Sequence, residues 1–521
     1  MSKPGIRLLP SFLSVGAWTL VSRVLGLLRD ILMAAFLGTG PVAQAFLIAF
    51  TLPNMFRRFF AEGAFNLAFV PLFAKKVEAG EDAEGFARDA LSGLAFVLVL
   101  LIALGWIFMP ALVYAMASGF AGDERFTLSV THGRIAFPYI LFISLTALLS
   151  GVLNSLGRFA LAAAAPILMN VVMIAFLVFA WWTGRNIGLW QIWSVPVAGV
   201  AQLALIWWGC ARVGMPVLPR WPRLTPEMRR LTVIMVPALL AGGVVQINLM
   251  VGRQVGSFFD GAVAWLSYAD RLYQLPLGVV GIAIGIVLLP DLSRRLGAGD
   301  GSGGRDAINR ATEFTLVLTL PAAVALIVIP LPIVTVLFER GAFDPADSWP
   351  TALAVAVYGA GLPAFVMQKV LSPLYYARED TRSPFRYAVW AMVVNAAIAL
   401  GLAPFVGFIA AALGTTLAGW VMIVQLWAGT RRMGDAAEPD ARLRRAAPRI
   451  ALACVAMGIV LHFAARVLAA PLADGHLRYP ALAVLVGFGF VAYGAAALGF
   501  GAIRLADLRA ALRRAPASTS G

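Results

Sequence analysis

The sequence is poor in the residues that build metal sites, disulfides and charged surfaces. Its 521 residues include only two cysteines and three histidines, and His132, His462 and His476 share no ligand-like spacing. A metal site and a disulfide framework are therefore not expected, and neither is a cofactor. Charged residues make up 13% of the chain against 61% apolar residues, with a mean hydropathy of +0.85, which excludes a soluble globular protein.

Signatures of energy-coupling and enzymatic sites are also missing. No glycine-rich loop of the Gly-x-x-x-x-Gly-Lys-Ser/Thr type occurs, so ATP is not expected to be the direct energy source. No obvious set of His, Asp or Glu residues collects at one membrane face for acid and base chemistry on a lipid. A polyprenyl-phosphate enzyme, such as a glycosyl or phosphoglycosyl transferase, is therefore the less favoured class, and we expect a protein that is not an enzyme.

Long apolar runs recur from residue 11 to residue 503, separated by short polar links. Runs of this length cross about 30 Å of hydrocarbon as helices. The pattern predicts an all-α polytopic membrane protein with about fourteen transmembrane helices. The predicted spans are 11–37, 42–74, 90–118, 127–155, 159–183, 187–211, 227–256, 260–292, 307–338, 347–376, 384–404, 406–430, 447–470 and 479–503.

Basic residues are distributed unevenly between the links. The chain has 41 Lys and Arg against 26 Asp and Glu, and most of the basic residues fall in alternate links and at the two ends. Basic links stay on the cytoplasmic side of a membrane, so this bias predicts an even number of spans with both termini cytoplasmic. The net charge of +15 is thus explained by topology, and no nucleic-acid partner is expected.

A weak internal repeat relates spans 1 and 2 to spans 7 and 8, at an offset of about 220 residues, as parallel repeats in transporters do. Val42-Ala43 matches Val263-Ala264, and Leu52-Pro53 matches Leu275-Pro276. The repeat predicts an N-lobe over 1–220 with spans 1 to 6 and a C-lobe over 221–435 with spans 7 to 12. Residues 436–521 then supply spans 13 and 14 and a cytoplasmic tail.

Several charged residues fall inside the predicted spans. A cation at the bilayer centre costs about 2.5–3.5 kcal/mol on insertion scales, so such residues must face a wet cavity, pair with a carboxylate, or bind an anion. The basic ones are Arg23, Arg29, Arg57, Arg58, Arg253, Arg271 and Lys369, and the acidic ones are Asp30, Glu62 and Asp270. The excess of arginine predicts a basic cavity.

Helical spacing suggests which of these charges pair. Arg23 and Asp30 are seven residues apart and share a helix face, which leaves Arg29 freer. Arg58 and Glu62 form an i,i+4 pair with Arg57 beside them, and Arg271 adjoins Asp270.

Three arginines are consequently expected to line the cavity: Arg29, Arg57 and Arg253. Their guanidinium groups bind phosphate oxygens in bidentate fashion, which predicts binding of a phosphate or pyrophosphate. The alternative is that some of these arginines reach to the membrane surface or only lock two helices together.

Five sequence strings resemble the MurJ (MviN) family of bacterial lipid II flippases, within the superfamily that also holds multidrug, oligosaccharidyl-lipid and polysaccharide exporters. The resemblance covers nearly the whole chain. The strings are SRVLGLLRD at 22–30, LPNMFRRFFAEGAF at 52–65, YADRL at 268–272, FERGAF at 338–343 and DTRSP at 380–384.

The resemblance implies two six-helix lobes around a central cavity in the bacterial inner membrane, with spans 13 and 14 forming a groove for a polyprenyl tail. It implies that lipid II, undecaprenyl-pyrophosphoryl-MurNAc-pentapeptide-GlcNAc, moves from the cytoplasmic to the periplasmic leaflet by alternating access, for peptidoglycan synthesis. Membrane lipids and cell-wall synthesis proteins are the other expected partners.

The resemblance also assigns roles to single residues. The substrate-binding residues are Arg23, Arg29, Arg57 and Arg253, with Asp30 as the partner of Arg29. Gating or structural pairing is expected of Arg58, Glu62, Asp270, Arg271, Glu339 and Arg340.

Two departures from the family pattern bear on mechanism. Gln44 stands where some relatives carry an acid, and residues 231–252 contain no carboxylate, which does not support a sodium-coupled mechanism. Membrane potential and protons both remain open as driving forces. The rival functions are export of another polyprenyl-linked saccharide and export of cationic drugs.

Overall fold

The computed structural model describes residues 8–58, 65–298 and 300–502. These residues form helices and connecting turns, with no strand among them. In chain order the helices are α1 (Leu8–Leu37), α2 (Pro41–Arg57), α3 (Phe65–Ala79), α4 (Ala83–Ile107), α5 (Met109–Met116), α6 (Glu124–Ala136), α7 (Tyr139–Ser155), α8 (Phe159–Trp182), α9 (Ile187–Arg212), α10 (Pro226–Gly256), α11 (Ala262–Gly297), α12 (Gly301–Val328), α13 (Pro330–Phe338), α14 (Pro345–Tyr376), α15 (Arg382–Val406), α16 (Ile409–Thr430), α17 (Ala441–Val467), α18 (Ala469–Ala473) and α19 (Arg478–Gly499).

Ten helical stretches in the described part of the chain are long and apolar enough to cross a membrane: α4, α6 with α7, α8, α9, α12, α14, α15, α16, α17 and α19. Large apolar side chains such as Trp182, Phe405 and Phe490 lie on the outer surface of the helices, where lipid is the only solvent that suits them. The prediction of an all-α polytopic membrane protein is confirmed.

The predicted spans coincide with single helices or with consecutive pairs. Proline explains the breaks, because it lacks an N–H group and is accommodated in the first turn of a helix. The span 90–118 breaks at Phe108 before Pro110, 127–155 breaks beside Pro138, and 307–338 breaks at Ile329 before Pro330. The span 42–74 includes residues 59–64, which lie outside the described part.

Helix starts are fixed by side-chain caps. Asp82, Asn186 and Asp440 accept hydrogen bonds from backbone N–H groups in the first turns of α4, α9 and α17. Thr225 does the same for α10, where Pro226 is the first helical residue. These caps satisfy N–H groups that have no partner inside the helix.

Two compact units are present. The first unit comprises Met1–Tyr268, Arg340–Asp347 and Asn395–Ala411. In it, α8 packs against α1 and α9, α7 packs against α9, and α2 packs against α6. One of its apolar cores includes the stacked rings of Phe69, Phe73 and Phe86, with centroids 5.5 Å apart.

The second unit comprises Ala269–Glu339, Ser348–Val394 and Ala412–Gly521. In it, α17 packs against α12 and α19 around two apolar clusters. The Tyr493 hydroxyl on α19 donates to the Val317 carbonyl on α12 at 2.8 Å. The lobe boundaries predicted at residues 220 and 435 stay a prediction.

Candidate substrate-binding site

Arg29 and Asp30 form a buried ion pair on α1. The Nη2 and Nε atoms of Arg29 donate to Asp30 Oδ1 at 2.7 and 3.0 Å, and the two residues are 6% and 5% exposed. The expectation from helical spacing that Arg29 is the freer residue is wrong, because its long side chain folds back onto the adjacent carboxylate. The pairing that the family resemblance implies, Arg29 with Asp30, is present.

Asn170 connects this pair to a second helix. Its Oδ1 atom on α8 accepts a hydrogen bond from Arg29 Nη1 at 3.1 Å, and its Nδ2 atom donates to the carbonyl oxygens of Ser22 at 3.0 Å and Pro166 at 3.2 Å. A buried amide is stable in such a place only when its donors and acceptor are satisfied. Asn170 therefore fixes both the helix contact and the orientation of Arg29.

Sequence reasoning did not select Asn170. Its only signal was an amide side chain within the apolar run Phe159–Trp182. Polar residues within a membrane span are rare and usually face a partner helix or a cavity.

Arg57 lies at the end of α2 and faces a cavity of about 340 Å³ within the first unit. Polar groups from α7 and α9 share the lining with apolar residues of α7 and α8. Gln202, which also lines the cavity, accepts a hydrogen bond at Oε1 from the Tyr139 hydroxyl. Its Nε2 atom donates to the Ala165 carbonyl. The polar lining residues are Arg57, Thr146, Ser150, Asn154 and Gln202. Of the predicted substrate residues, Arg57 lines this cavity directly.

The other predicted basic residues of the first unit lie at different places. Arg23 is half-buried on α1. Arg253 is half-buried in the last turn of α10. Arg58 is exposed after the last turn of α2, and Glu62, its predicted partner, lies outside the described residues. The roles of these residues stay predictions.

Asp347 accepts hydrogen bonds from uncharged donors next to the end of α1. Asp347 Oδ1 accepts from the Thr39 hydroxyl and from the Trp265 indole nitrogen, each at 2.8 Å. Beside it, the Tyr268 hydroxyl donates to the Gly38 carbonyl at 2.8 Å. We call Gly38, Thr39, Trp265, Tyr268 and Asp347 the Asp347 cluster. Its hydrogen bonds join the turn after α1 to the starts of α11 and α14.

The FERGAF string contributes to this region through its last three residues. The Ala342 N–H group donates to the Ala35 carbonyl at 2.7 Å, and the Phe343 ring meets the Tyr268 ring edge to face, with centroids 5.9 Å apart. The sequence singled out Glu339 and Arg340 for gating. The glycine and alanine that follow them make the close backbone contact, which a charge-based search does not detect.

In the second unit, Gln274 donates to the Asp270 carboxylate, one turn along α11. Glu339 accepts a hydrogen bond from the Ser348 hydroxyl at 2.5 Å, and its carbonyl accepts from Arg478 Nη1 at 2.9 Å. Glu339 thus ties the end of α13 to the starts of α14 and α19. A gating role for Asp270, Arg271 or Glu339 stays a prediction.

A buried guanidinium, a basic cavity and a hydrogen-bonded cluster are set in a bundle of apolar helices whose outer surface suits lipid. Those features are typical of a polytopic membrane transport protein.

Known proteins agree with this class and narrow it. The family model described as "Lipid II flippase MurJ" matches residues 33–476. Proteins named probable lipid II flippase MurJ are 46% identical in Rhizobium tropici, covering 88% of this chain and 87% of the relative, and 43% identical in Rhizobium meliloti (strain 1021), covering 98% of each. The chain belongs to the lipid II flippase MurJ family.

Solved structures show the same fold. A lipid II flippase MurJ in an inward closed conformation matches with a TM-score of 0.79 at 25% identity, covering 95% of this chain and 99% of that one. An inward-facing multidrug resistance MATE family transporter of the MOP superfamily matches with a TM-score of 0.69 at 16% identity, covering 82% of this chain and 98% of that one. The second likeness shows the fold alone.

Proposed function

We propose that this protein translocates lipid II between the leaflets of the bacterial inner membrane. Membership in a family of flippases supports this function, as does the length over which the relatives align. The observation that carries the proposal is the basic cavity around Arg57, close to the helices that hold the Arg29 and Asp30 pair. A pyrophosphate is the part of lipid II that such a cavity recognises best.

Arg57 is the residue proposed to meet the pyrophosphate first, because it lines the cavity. Arg29 is already bound by Asp30 and Asn170, so it contributes a fixed positive charge and exchanges partners only when the site rearranges. Arg23 and Arg253 are proposed to complete the site during that rearrangement. No bond of the substrate is broken in this process.

The direction of transport follows from the topology proposed above. With both termini cytoplasmic, the Asp347 cluster lies on the periplasmic side, where its hydrogen bonds hold the turn after α1. Substrate then enters from the cytoplasmic leaflet, and alternating access releases it outside. Spans 13 and 14 are proposed to hold the polyprenyl tail, and cell-wall synthesis proteins to supply the substrate.

The rival function with the same fold is drug export. A site for cationic drugs needs carboxylates and aromatic faces in the cavity. Among the described residues, the lining of the Arg57 cavity contains an arginine and neutral polar groups and no carboxylate, and Phe159 is its one aromatic residue. A second lipid-linked saccharide shares the pyrophosphate and is separated from lipid II only by experiment.

The decisive experiment compares ligands and variants on the purified protein in nanodiscs. Native mass spectrometry measures binding of lipid II, undecaprenyl phosphate and a cationic dye to the wild type and to Arg57→Ala and Arg253→Ala. Loss of a charge-assisted hydrogen bond predicts lipid II binding that is weaker by about tenfold or more. Arg230→Ala, an exposed arginine on α10, is the control.

A leaflet-specific assay in proteoliposomes then measures translocation of fluorescent lipid II. We expect transport by the wild type and by Arg230→Ala, and none by Arg57→Ala. Equal binding of all three ligands, unaffected by either substitution, contradicts the basic site. Binding without transport by the wild type contradicts the flippase function.

A further inference from the structure

A second cavity, of about 790 Å³, lies in the second unit. It is bounded by the start of α12, the turn after α14, the short 3-10 segment Arg431–Ala437 and the start of α17. Its lining includes four arginines and none of the residues predicted to bind substrate. The four are Arg305, Arg378, Arg444 and Arg445. We call it the α12/α17 cavity.

One wall of the α12/α17 cavity is braced by a buried amide. Asn309 is 1% exposed; its Nδ2 donates to the Glu438 carbonyl at 3.0 Å, and its Oδ1 accepts from the Asp440 N–H group at 3.0 Å. Arg305 Nε also donates to the Glu438 carbonyl, at 3.1 Å. These bonds fasten the segment 438–440 to α12. The cavity is therefore preformed, which reduces the conformational entropy lost on binding.

The carboxylates of this wall already have basic partners. Glu438 pairs with Arg305 at 3.4 Å, and Asp440 pairs with Arg310. Asp440 also accepts from the Leu443 N–H group at 2.6 Å, as the cap of α17. Hydrogen bonds from the Leu443 N–H group and from Arg310 hold the pKa of Asp440 below its usual value, although burial opposes them. Asp440 therefore stays engaged at neutral pH.

Three of the four arginines that line the α12/α17 cavity have no carboxylate partner among the described residues. Among the described residues, Arg378, Arg444 and Arg445 form no salt bridge, and Arg378 donates through Nη1 to the Leu374 carbonyl at 3.0 Å. Burial lowers the pKa of Arg378, which lies outside the membrane-spanning segment α14. A neighbouring anion would compensate for that burial by favouring the charged form.

We propose that Arg378, Arg444 and Arg445 bind a phosphate group at a site separate from the transport site. Guanidinium groups match the planar spacing of phosphate oxygens. The cavity volume falls in the range of pockets that hold small ligands or headgroups. The phosphate belongs either to the headgroup of an anionic phospholipid or to a soluble phosphorylated compound, and both sources present the same chemistry.

Two further carboxylates limit where the anion lies. Asp306 and Asp435 also line the cavity and are exposed. They repel an anion, so the phosphate is placed beside Arg378 and α17, away from them. The double variant Asp306→Asn with Asp435→Asn therefore binds the anion more tightly than the wild type. A cation site would show the opposite change.

The test measures binding by the full chain in nanodiscs and does not depend on the proposed transport function. In one arm, native mass spectrometry counts phosphatidylglycerol retained from mixed phosphatidylcholine and phosphatidylglycerol discs. In the other arm, calorimetry measures inorganic pyrophosphate binding in phosphatidylcholine discs. The test variant replaces Arg378, Arg444 and Arg445 by Gln. The matched control replaces Arg223, Arg229 and Arg230, three exposed arginines of the first unit, by Gln.

We expect binding to fall about tenfold in the test variant and to stay unchanged in the control. A fall for phosphatidylglycerol alone identifies a lipid headgroup, and a fall for pyrophosphate identifies a soluble ligand. Equal behaviour of the two triple variants in both arms overturns the proposal. If the test variant does not fold, the proposal is tested with the double variant Asp306→Asn with Asp435→Asn. Anion binding by this variant that is unchanged or weaker than in the wild type overturns the proposal.

Discussion

Asn170 on α8 accepts a hydrogen bond from Arg29 on α1 across 3.1 Å, although the two residues are 141 positions apart in the chain. The contact makes an uncharged amide responsible for the orientation of a buried charge. Replacing Asn170 by Leu removes the acceptor without emptying the space. We expect the protein to lose about 1–3 kcal/mol of stability and to bind lipid II more weakly, because a buried N–H group of Arg29 is left unsatisfied.

Asn170→Asp provides the control for this prediction. A carboxylate at this position still accepts from Arg29, so thermal stability is expected to stay near that of the wild type. The added negative charge repels the pyrophosphate, so lipid II binding falls. Thermal unfolding followed by size-exclusion chromatography, together with native mass spectrometry, separates the two effects. Wild-type affinity in both variants contradicts a positioning role for Asn170.

Because Arg29 and Asp30 form a buried ion pair, substitutions of the two residues are expected to have non-additive effects on stability. Asp30→Ala leaves a buried guanidinium without its carboxylate, which costs about 3–5 kcal/mol in comparable buried pairs. The double variant Arg29→Ala with Asp30→Ala removes both charges and is expected to be more stable than Asp30→Ala alone. Apparent melting temperatures of the two single variants and the double variant complete the cycle. Additive losses would show that the pair contributes no coupling energy.

Gly38 and Gly341 support the close contact between the turn after α1 and the loop before α14. Both have positive φ, at 63° and 61°, and a Cβ atom on either would collide with a backbone carbonyl, that of Ala342 or of Ala35. Gly38→Ala and Gly341→Ala are therefore each expected to lower the melting temperature and to increase hydrogen exchange in residues 340–347. Strain from the left-handed backbone adds to the collision.

Gly401→Ala is the control for the two glycine variants. A Cβ atom at Gly401 meets nothing within 4 Å, and the residue lies inside α15. Alanine is expected to leave the stability unchanged or to raise it slightly, by at most about 1 kcal/mol. Equal changes in stability in Gly38→Ala, Gly341→Ala and Gly401→Ala would contradict the importance of close packing at Gly38 and Gly341.

Removing the Asp347 carboxylate is expected to loosen the turn after α1. Asp347→Ala deprives the Thr39 hydroxyl and the Trp265 indole of their acceptor, so the turn after α1 is expected to exchange amide hydrogens faster. Hydrogen exchange with mass spectrometry over residues 36–44 measures the change. Trp265→Phe removes one donor and is expected to give a smaller increase. Unchanged exchange in both variants contradicts a role for the cluster in holding the turn after α1.

Much of the fold was predictable because its signals are local. Apolar runs of membrane-spanning length fixed where the helices lie, and prolines such as Pro110 and Pro330 explain why two predicted spans are each broken into two helices. The number of spans is harder to predict, because two consecutive helices separated by a short break give a single apolar run in the sequence. The family was predictable from short strings that combine charged residues with glycine.

The site was predictable only in part because its contacts are not local. Arg29 and Arg57 were found by their charge, since charge is rare in an apolar span. Helical spacing left Arg29 freer, whereas Arg29 binds Asp30, because side-chain flexibility outweighs the angular offset between neighbours. Asn170 and Asp347 act through residues far away in sequence, so no periodicity indicates them.

Asp347 receives hydrogen bonds from the Thr39 hydroxyl, the Trp265 indole and, at 3.2 Å, the Asp344 N–H group. All three donors bind one carboxylate, so an acidic side chain holds the turn after α1 against the start of α14. Removing one donor costs one hydrogen bond and leaves the other two in place. The junction is therefore expected to loosen in steps as its donors are removed one at a time.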